Sequence, residues 1–188
     1  MKRLIMAVLA VFLISTSRTT ADQLDTQFNS SLTWNQDGIT SKYIHREAYF
    51  AHLRENEVNI GARVSDNLTL YGAYITNNQG VDRAGIVIAI SQPLDSKWHA
   101  SASLHLYKGL NSAPDRFKWT LVIAKPVSKH WLVGIYNFGN SVHGNPNKYW
   151  EGGPALIYRN GATTIPIFFL LKDEGRKGIQ ANLNFALK

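Results

Sequence analysis

Apolar and polar residues alternate along most of the chain after its first 21 residues. The clearest example runs from Trp98 to Tyr107, where every second residue is apolar and the residues between are polar. Successive side chains of a β-strand point to opposite faces, so this period of two indicates a strand with one apolar and one polar face. The pattern recurs in 116–125 and 177–187, and no stretch after residue 21 favours a helical period. The sequence therefore predicts an all-β protein.

From residue 64 onward, the connections between these segments alternate in length, a short one followed by a long one. Asn160-Gly161 forms one of the short connections and is typical of a type I′ hairpin turn. The order of connections predicts an antiparallel up-and-down meander closed into a β-barrel. An even strand number is expected for a barrel with both termini on one side, which favours about ten strands, with eight or twelve as alternatives. The segments that alternate are 24–34, 41–53, 57–64, 67–76, 83–92, 97–107, 116–125, 130–138, 150–159, 162–172 and 177–187.

The length of these segments favours a barrel that spans a membrane. Strands of soluble proteins most often have about five or six residues, whereas about nine to eleven are needed to cross a bilayer at a tilt. In a membrane barrel the apolar faces contact lipid and the polar faces line the lumen. Aromatic residues are expected at both membrane interfaces. Trp98, Trp131 and Tyr158 lie beside short connections, and Tyr107, Tyr149 and Trp150 lie beside long ones.

The first residues have the three parts of a secretory signal peptide. Met1-Lys2-Arg3 is basic, the run from Leu4 to Ile14 is apolar, and small residues precede a cleavage site after Ala21. This predicts that residues 1–21 direct export and are then cleaved off. Residues 22–188 are then expected to form one barrel domain. Removing the signal lowers the formal charge from +7 to +4. The remaining basic residues are scattered, which argues against binding to nucleic acid.

The chain has no cysteine, which excludes disulfides, thiol nucleophiles and cysteine-ligated metal sites. It also lacks a histidine pair at the spacing of a helical metal site and a glycine-rich phosphate loop. We therefore expect neither a metal nor a cofactor.

On these features the chain resembles the small outer-membrane β-barrel proteins of Gram-negative bacteria over residues 22–188. The resemblance rests on the segment Met1–Ala21, the alternating strands, the turn motifs that begin at Pro93 and Pro126, and the strand 178–187. It implies that the short turns face the periplasm, the long loops face outside and the barrel-assembly machinery inserts the chain. Proteins of this class commonly end on an aromatic residue, whereas this chain ends Leu187-Lys188.

One polar strand face offers candidate chemistry. Residues two apart on a strand face lie about 7 Å from each other, so His99 and Ser101 could act as base and nucleophile. His-x-Ser on a strand also resembles the motif of outer-membrane lipid A deacylases, which implies the same two roles. The alternative is a lumen wall of hydrogen-bonded polar residues. The lumen-facing residues predicted here are Ser103, His105, Tyr107, Gln180, Asn182 and Asn184, and Glu47, Glu151 and Arg159 are expected to point inward and pair.

These observations leave three functional hypotheses. The first is a monomeric outer-membrane barrel with a surface or structural role, a polar lumen, and contacts to the bilayer and lipopolysaccharide. The second is an outer-membrane enzyme that edits acyl chains of lipid A or phospholipid. The third is a soluble periplasmic barrel that holds a small apolar ligand, in which case the apolar faces point inward.

Overall fold

The computed structural model describes residues 25–48, 52–95, 97–144, 149–172 and 177–187, and the predicted signal segment lies outside them. The described residues contain no helix long and apolar enough to cross a membrane. They form one closed barrel of 11 strands. The strands are β1 (Asp25–Gln36), β2 (Ile39–Ala48), β3 (Leu53–Ser65), β4 (Leu68–Asn77), β5 (Asp82–Pro93), β6 (His99–Gly109), β7 (Arg116–Pro126), β8 (Trp131–Val142), β9 (Tyr149–Asn160), β10 (Thr163–Lys172) and β11 (Lys177–Leu187).

The strands follow one another around the barrel in chain order, which confirms the predicted up-and-down barrel. Each strand pairs antiparallel with the next, from β1 through to β11. The described barrel has 11 strands, one more than the favoured ten. The odd number is possible because β1 and β11 close the barrel as a parallel pair, from Asp25↔Gly178 to Trp34↔Leu187. A parallel closing pair removes the need for an even number, as in the 19-stranded mitochondrial channel.

Two of the predicted strand boundaries differ from the structure in the same region. Segments 41–53 and 57–64 were predicted, whereas β2 ends at Ala48 and β3 begins at Leu53. The second hairpin connection therefore lies earlier in the chain. Consequently Glu55, which the predicted bounds left in a connection, belongs to the same strand as Glu57.

The two walls of the barrel differ in polarity. On β5, Ile86 is 52% exposed and Val87 only 4%, and on β6 Leu106 is 41% exposed whereas His105 is 7%. Large apolar residues therefore cover the outside of the barrel, and the inside holds charged and polar residues together with two buried apolar clusters, one around Ile75 and one around Leu170. This arrangement is opposite to the one that an apolar-ligand carrier with inward apolar faces requires.

The short connections lie at one end of the barrel, which we call the turn end, and the longer ones lie at the other, the loop end. At the turn end the carboxylate of Asp95 accepts hydrogen bonds from the backbone N–H groups of Lys97 and Trp98, at 2.6 and 2.7 Å. These bonds lower the pKa of Asp95. The Trp131 and Tyr158 rings meet edge to face there at 5.1 Å, and the Lys125 ammonium lies 5.1 Å from the centre of the Trp98 ring.

At the loop end the outward Trp150 is 42% exposed and donates a hydrogen bond to Asn137 at 2.7 Å. Tyr107 lies near this end in sequence but points into the lumen, on the polar face to which the alternation assigned it, and is 3% exposed. The side chain of Tyr149 lies outside the described residues.

Candidate functional site in the barrel lumen

Two carboxylates from β3 form the centre of the lumen. Glu55 and Glu57 lie two residues apart on the inward face of β3 and are 3% and 0% exposed. Buried carboxylates require hydrogen bonds and opposite charges to remain ionised. Both requirements are met by side chains from β2, β6 and β7.

Arg46 on the adjacent strand β2 contacts both carboxylates. Its Nη1 lies 2.8 Å from Glu55 Oε1, and its Nη2 lies 2.6 Å from Glu57 Oε2. This fork matches the planar guanidinium to two separate acceptors, a geometry that a lysine could not reproduce. Arg46 therefore joins the two carboxylates into one unit.

Two cations on β7 reach the same carboxylates from across the barrel. Arg116 Nη1 lies 2.6 Å from Glu55 Oε2, and Lys118 Nζ lies 3.2 Å from Glu57 Oε2. Strands β4, β5 and β6 separate β3 from β7 along the wall. These ion pairs therefore span the lumen, and three cations face two carboxylates.

Strand β6 adds a chain of neutral hydrogen bonds to this charged cluster. The Tyr107 hydroxyl donates to Glu57 at 3.0 Å and lies 2.8 Å from His105 Nδ1. The other ring nitrogen of His105 lies 2.8 Å from the Ser103 hydroxyl, which in turn contacts Thr120 at 2.7 Å. The three predicted lumen residues of β6 thus form one continuous hydrogen-bonded row.

The predicted lumen residues of β11 lie on the closing strand pair. Asn29 donates to Asn182 at 2.8 Å, and Ser31 donates to Asn184 at 2.7 Å. Gln180 donates to Asn182 at 3.0 Å. These side-chain bonds connect β1 to β11 from inside the barrel, in addition to the backbone ladder.

Aromatic side chains fill another part of the interior. The Tyr136 and Phe168 rings stack with their centres 4.1 Å apart, and Ala155 and Leu170 pack with them. A cavity of about 390 Å³ remains between this cluster and the polar walls. It is lined by Lys42, Arg46, Lys118, Tyr136, Asn182 and Asn184 among others.

The structure does not bring the predicted catalytic pair together. His99 Nε2 lies 2.9 Å from the hydroxyl of Ser91 on the neighbouring strand, and its ring is exposed at the turn end. Both His99 and Ser101 lie on the inward face of β6, away from the lipid-facing wall. Their assignment as base and nucleophile stays a prediction.

The other predicted charges are distributed between several places. Glu47 is not inward as expected, because it alternates with the inward Arg46 and pairs with Arg54 at 3.2 Å on the outer wall. Glu151 is inward and 1% exposed. Arg159 is exposed. In the described part of the chain no group of three His, Asp or Glu side chains could hold a metal ion.

Sequence reasoning missed Arg46, Glu55, Glu57 and Arg116, which form most of the charged cluster. A usable signal was present, because Glu55, Glu57 and Asn59 occupy alternate positions and interleave with the apolar residues Val58 and Ile60. Charges at alternate positions beside outward apolar residues indicate a lumen face.

No family model matches the chain, and no curated protein matches it. Among solved structures the barrel is similar to one titled "NanC porin structure in rhombohedral crystal form". The TM-score is 0.56 at 12% sequence identity, and the match covers 81% of this chain and 88% of that chain. The similarity shows a porin-like barrel fold.

Proposed function

We propose that the protein is an outer-membrane β-barrel whose lumen is a narrow conduit for small hydrophilic solutes. The observation that carries this proposal is the difference between the two walls, with apolar residues outside and, inside, a cavity of about 390 Å³ that the charged cluster and other polar side chains line together with aromatic ones. Lipid can cover the outer wall, and water can enter the inner one. The fold that the chain shares with a porin supports the same conclusion.

The width of the conduit follows from the strand number and the cluster. A barrel of about eight strands has room only for its own side chains, whereas barrels of about 16 leave a wide aqueous channel. With 11 strands and ion pairs across the lumen, this barrel should pass ions and small solutes slowly.

Membrane placement can be tested by fractionation and gel mobility. We expect the protein in the outer-membrane fraction, with different migration before and after boiling, because a closed barrel resists detergent until heated. Recovery in the soluble periplasm without detergent would contradict the proposal.

Conduction can be tested with purified protein in planar lipid bilayers. We expect small conductance steps that increase in Arg116→Gln, because this change removes the ion pair across the lumen to Glu55. Ile86→Val on the outer wall is the matched control and should leave the steps unchanged.

A surface or structural role is the second candidate, and the cross-lumen ion pairs favour it because they hold the interior closed. In that case neither the wild type nor Arg116→Gln would conduct, although both would show heat-dependent mobility.

A further inference from the structure

Asn59 is an inward residue of β3 whose side-chain amide is only half used. Its Nδ2 donates a hydrogen bond to Glu57 Oε1 at 2.9 Å, and the residue is 3% exposed. An ionised carboxylate only accepts, so the amide nitrogen is the atom that faces Glu57 and the amide oxygen faces the other way. That oxygen, Oδ1, is buried and accepts no hydrogen bond from a described residue. A buried acceptor without a donor is costly and indicates a place where a ligand could supply one.

Lys42 lies directly opposite Asn59 in the register of β2 and β3, and both residues line the lumen cavity. Side chains at directly opposite positions have Cβ atoms about 4.5–5.5 Å apart. Arg46, Arg116 and Lys118 are all paired with carboxylates, whereas Lys42 has no ion pair or hydrogen bond to a described residue. Its ammonium is therefore a lumen cation that no contacting carboxylate neutralises.

Two neutral donors line the same cavity on the closing strand pair. Asn182 Oδ1 accepts hydrogen bonds from Asn29 and Gln180, and Asn184 Oδ1 accepts one from Ser31. Because both amide oxygens are used as acceptors, the Nδ2 group of Asn182 and that of Asn184 remain as donors on the cavity wall. Strands β11, β1, β2 and β3 are neighbours in the barrel. The cation, the donors and the free acceptor therefore lie on one continuous part of the inner wall.

We propose that these four residues, Lys42, Asn59, Asn182 and Asn184, form a lumen anion site that binds inorganic phosphate and makes the conduit selective for it. The proposal rests on the conduit function and names the solute. The Lys42 ammonium and the asparagine Nδ2 groups donate to phosphate oxygens, which are strong charge-assisted acceptors. A P–OH group of the same ion donates to Asn59 Oδ1. Phosphate keeps at least one P–OH group at neutral pH, whereas sulfate has none.

The free acceptor is the feature that separates phosphate from other small anions. Chloride and sulfate could neutralise Lys42, but they would leave Asn59 Oδ1 without a donor. A site that is built to hydrogen-bond a ligand rejects an analogue that lacks the matching group, because the buried polar atom then stays unpaired. A hydroxy acid such as lactate also carries a donor, but its planar carboxylate offers two acceptor oxygens. Phosphate offers up to three oxygens to donors on β2 and β11, so the donor set favours phosphate.

Calorimetric titration of the protein in detergent micelles with phosphate, sulfate and lactate tests the site without any need for conduction. We expect the wild type to bind phosphate at least about 10-fold more tightly than sulfate or lactate. Asn59→Leu should weaken phosphate binding by about 10-fold and leave sulfate binding unchanged, whereas Lys42→Gln should weaken both. Lys125→Gln is the matched control, because it removes the same charge beside the Trp98 ring at the turn end.

Heat-dependent gel mobility shows whether each variant has folded, and the comparison of the three anions needs only the wild type. Folded wild type that does not bind phosphate, or that binds sulfate or lactate as tightly, would overturn the proposal. Phosphate binding that survives Lys42→Gln unchanged would place the anion elsewhere and would overturn it as well.

Planar bilayers test whether the lumen anion site lies on the path of the solute. We expect phosphate to reduce the chloride current of the wild type at about 10-fold lower concentration than sulfate does, and Asn59→Leu to remove this difference. A conducting wild type that phosphate and sulfate block equally would refute the site and leave the conduit standing. A wild type that binds phosphate in micelles but does not conduct would refute the conduit and leave the site standing.

Discussion

Glu57 is the residue on which the interior of the barrel depends most. Its carboxylate is fully buried and contacts Arg46, Lys118 and Tyr107, so its charge is shared among three strands. A buried ion cluster adds less stability than its contacts suggest, because every charge must first lose its water. Removing one member of the cluster is costly, because the buried charges that remain then lack an opposite charge.

We therefore expect Glu57→Gln to lower the free energy of unfolding by about 3–5 kcal/mol. Urea titration of the barrel in lipid vesicles measures this change. Lys108→Gln is the control and should have a much smaller effect, because the ion pair between Lys108 and Asp115 is exposed to solvent. Similar losses in the two variants would show that Glu57 is not buried in an ionic cluster.

A second prediction for a single residue concerns the lipid-facing wall. Leu104 alternates with the lumen residues Ser103 and His105, so Leu104→Arg places a charge against hydrocarbon and should cost about 2–4 kcal/mol. The same titration in vesicles measures it. Val127→Arg, in an exposed turn, should be nearly neutral. If arginine is tolerated equally at both positions, Leu104 does not face lipid.

At the scale of the strand, alternation was informative wherever the two walls differ in polarity. It placed β6, β7 and β11 within a few residues of their observed bounds. It failed between β2 and β3, where both walls are polar: Arg46 and Glu55 face inward while Glu47 and Arg54 pair on the outside. Without an apolar face there is no period of two, and the hairpin connection could not be located from sequence.

Glycines allow close contact between neighbouring strands at particular inward positions. A Cβ atom added to Gly85 would overlap the backbone carbonyl of Leu106 on β6, whereas one added to Gly72 would lie 3.8 Å from the carbonyl oxygen of Ile60. We expect Gly85→Ala to destabilise the barrel by about 1–3 kcal/mol, because the neighbouring backbone must move. Gly72→Ala should be neutral or slightly stabilising, since alanine loses less backbone entropy on folding. Equal unfolding midpoints in urea would contradict the observed approach of β5 to β6.

At the scale of the whole molecule, the charged cluster and the closing strand pair could not have been predicted from the sequence. Both depend on which distant residues meet. Glu55 and Arg116 are 61 positions apart, and Asn29 and Asn182 are 153 positions apart. Alternation assigns each residue to a wall but carries no information on which residue of that wall lies opposite it. The partners follow only from the order and the register of the strands.

The parallel closing pair can be tested directly, because the chain has no native cysteine. Asn29 and Asn182 are partners in the register of β1 and β11, and their side chains are 2.8 Å apart. The double variant Asn29→Cys/Asn182→Cys should form a disulfide without backbone movement. We expect oxidised barrels to keep a distinct gel mobility after boiling until a reductant is added, because the disulfide joins the first strand to the last. Asn29→Cys with Ala186→Cys, offset by four positions on β11, should remain reduced. Cross-linking of the offset pair, or of neither pair, would show that β1 does not close the barrel in this register.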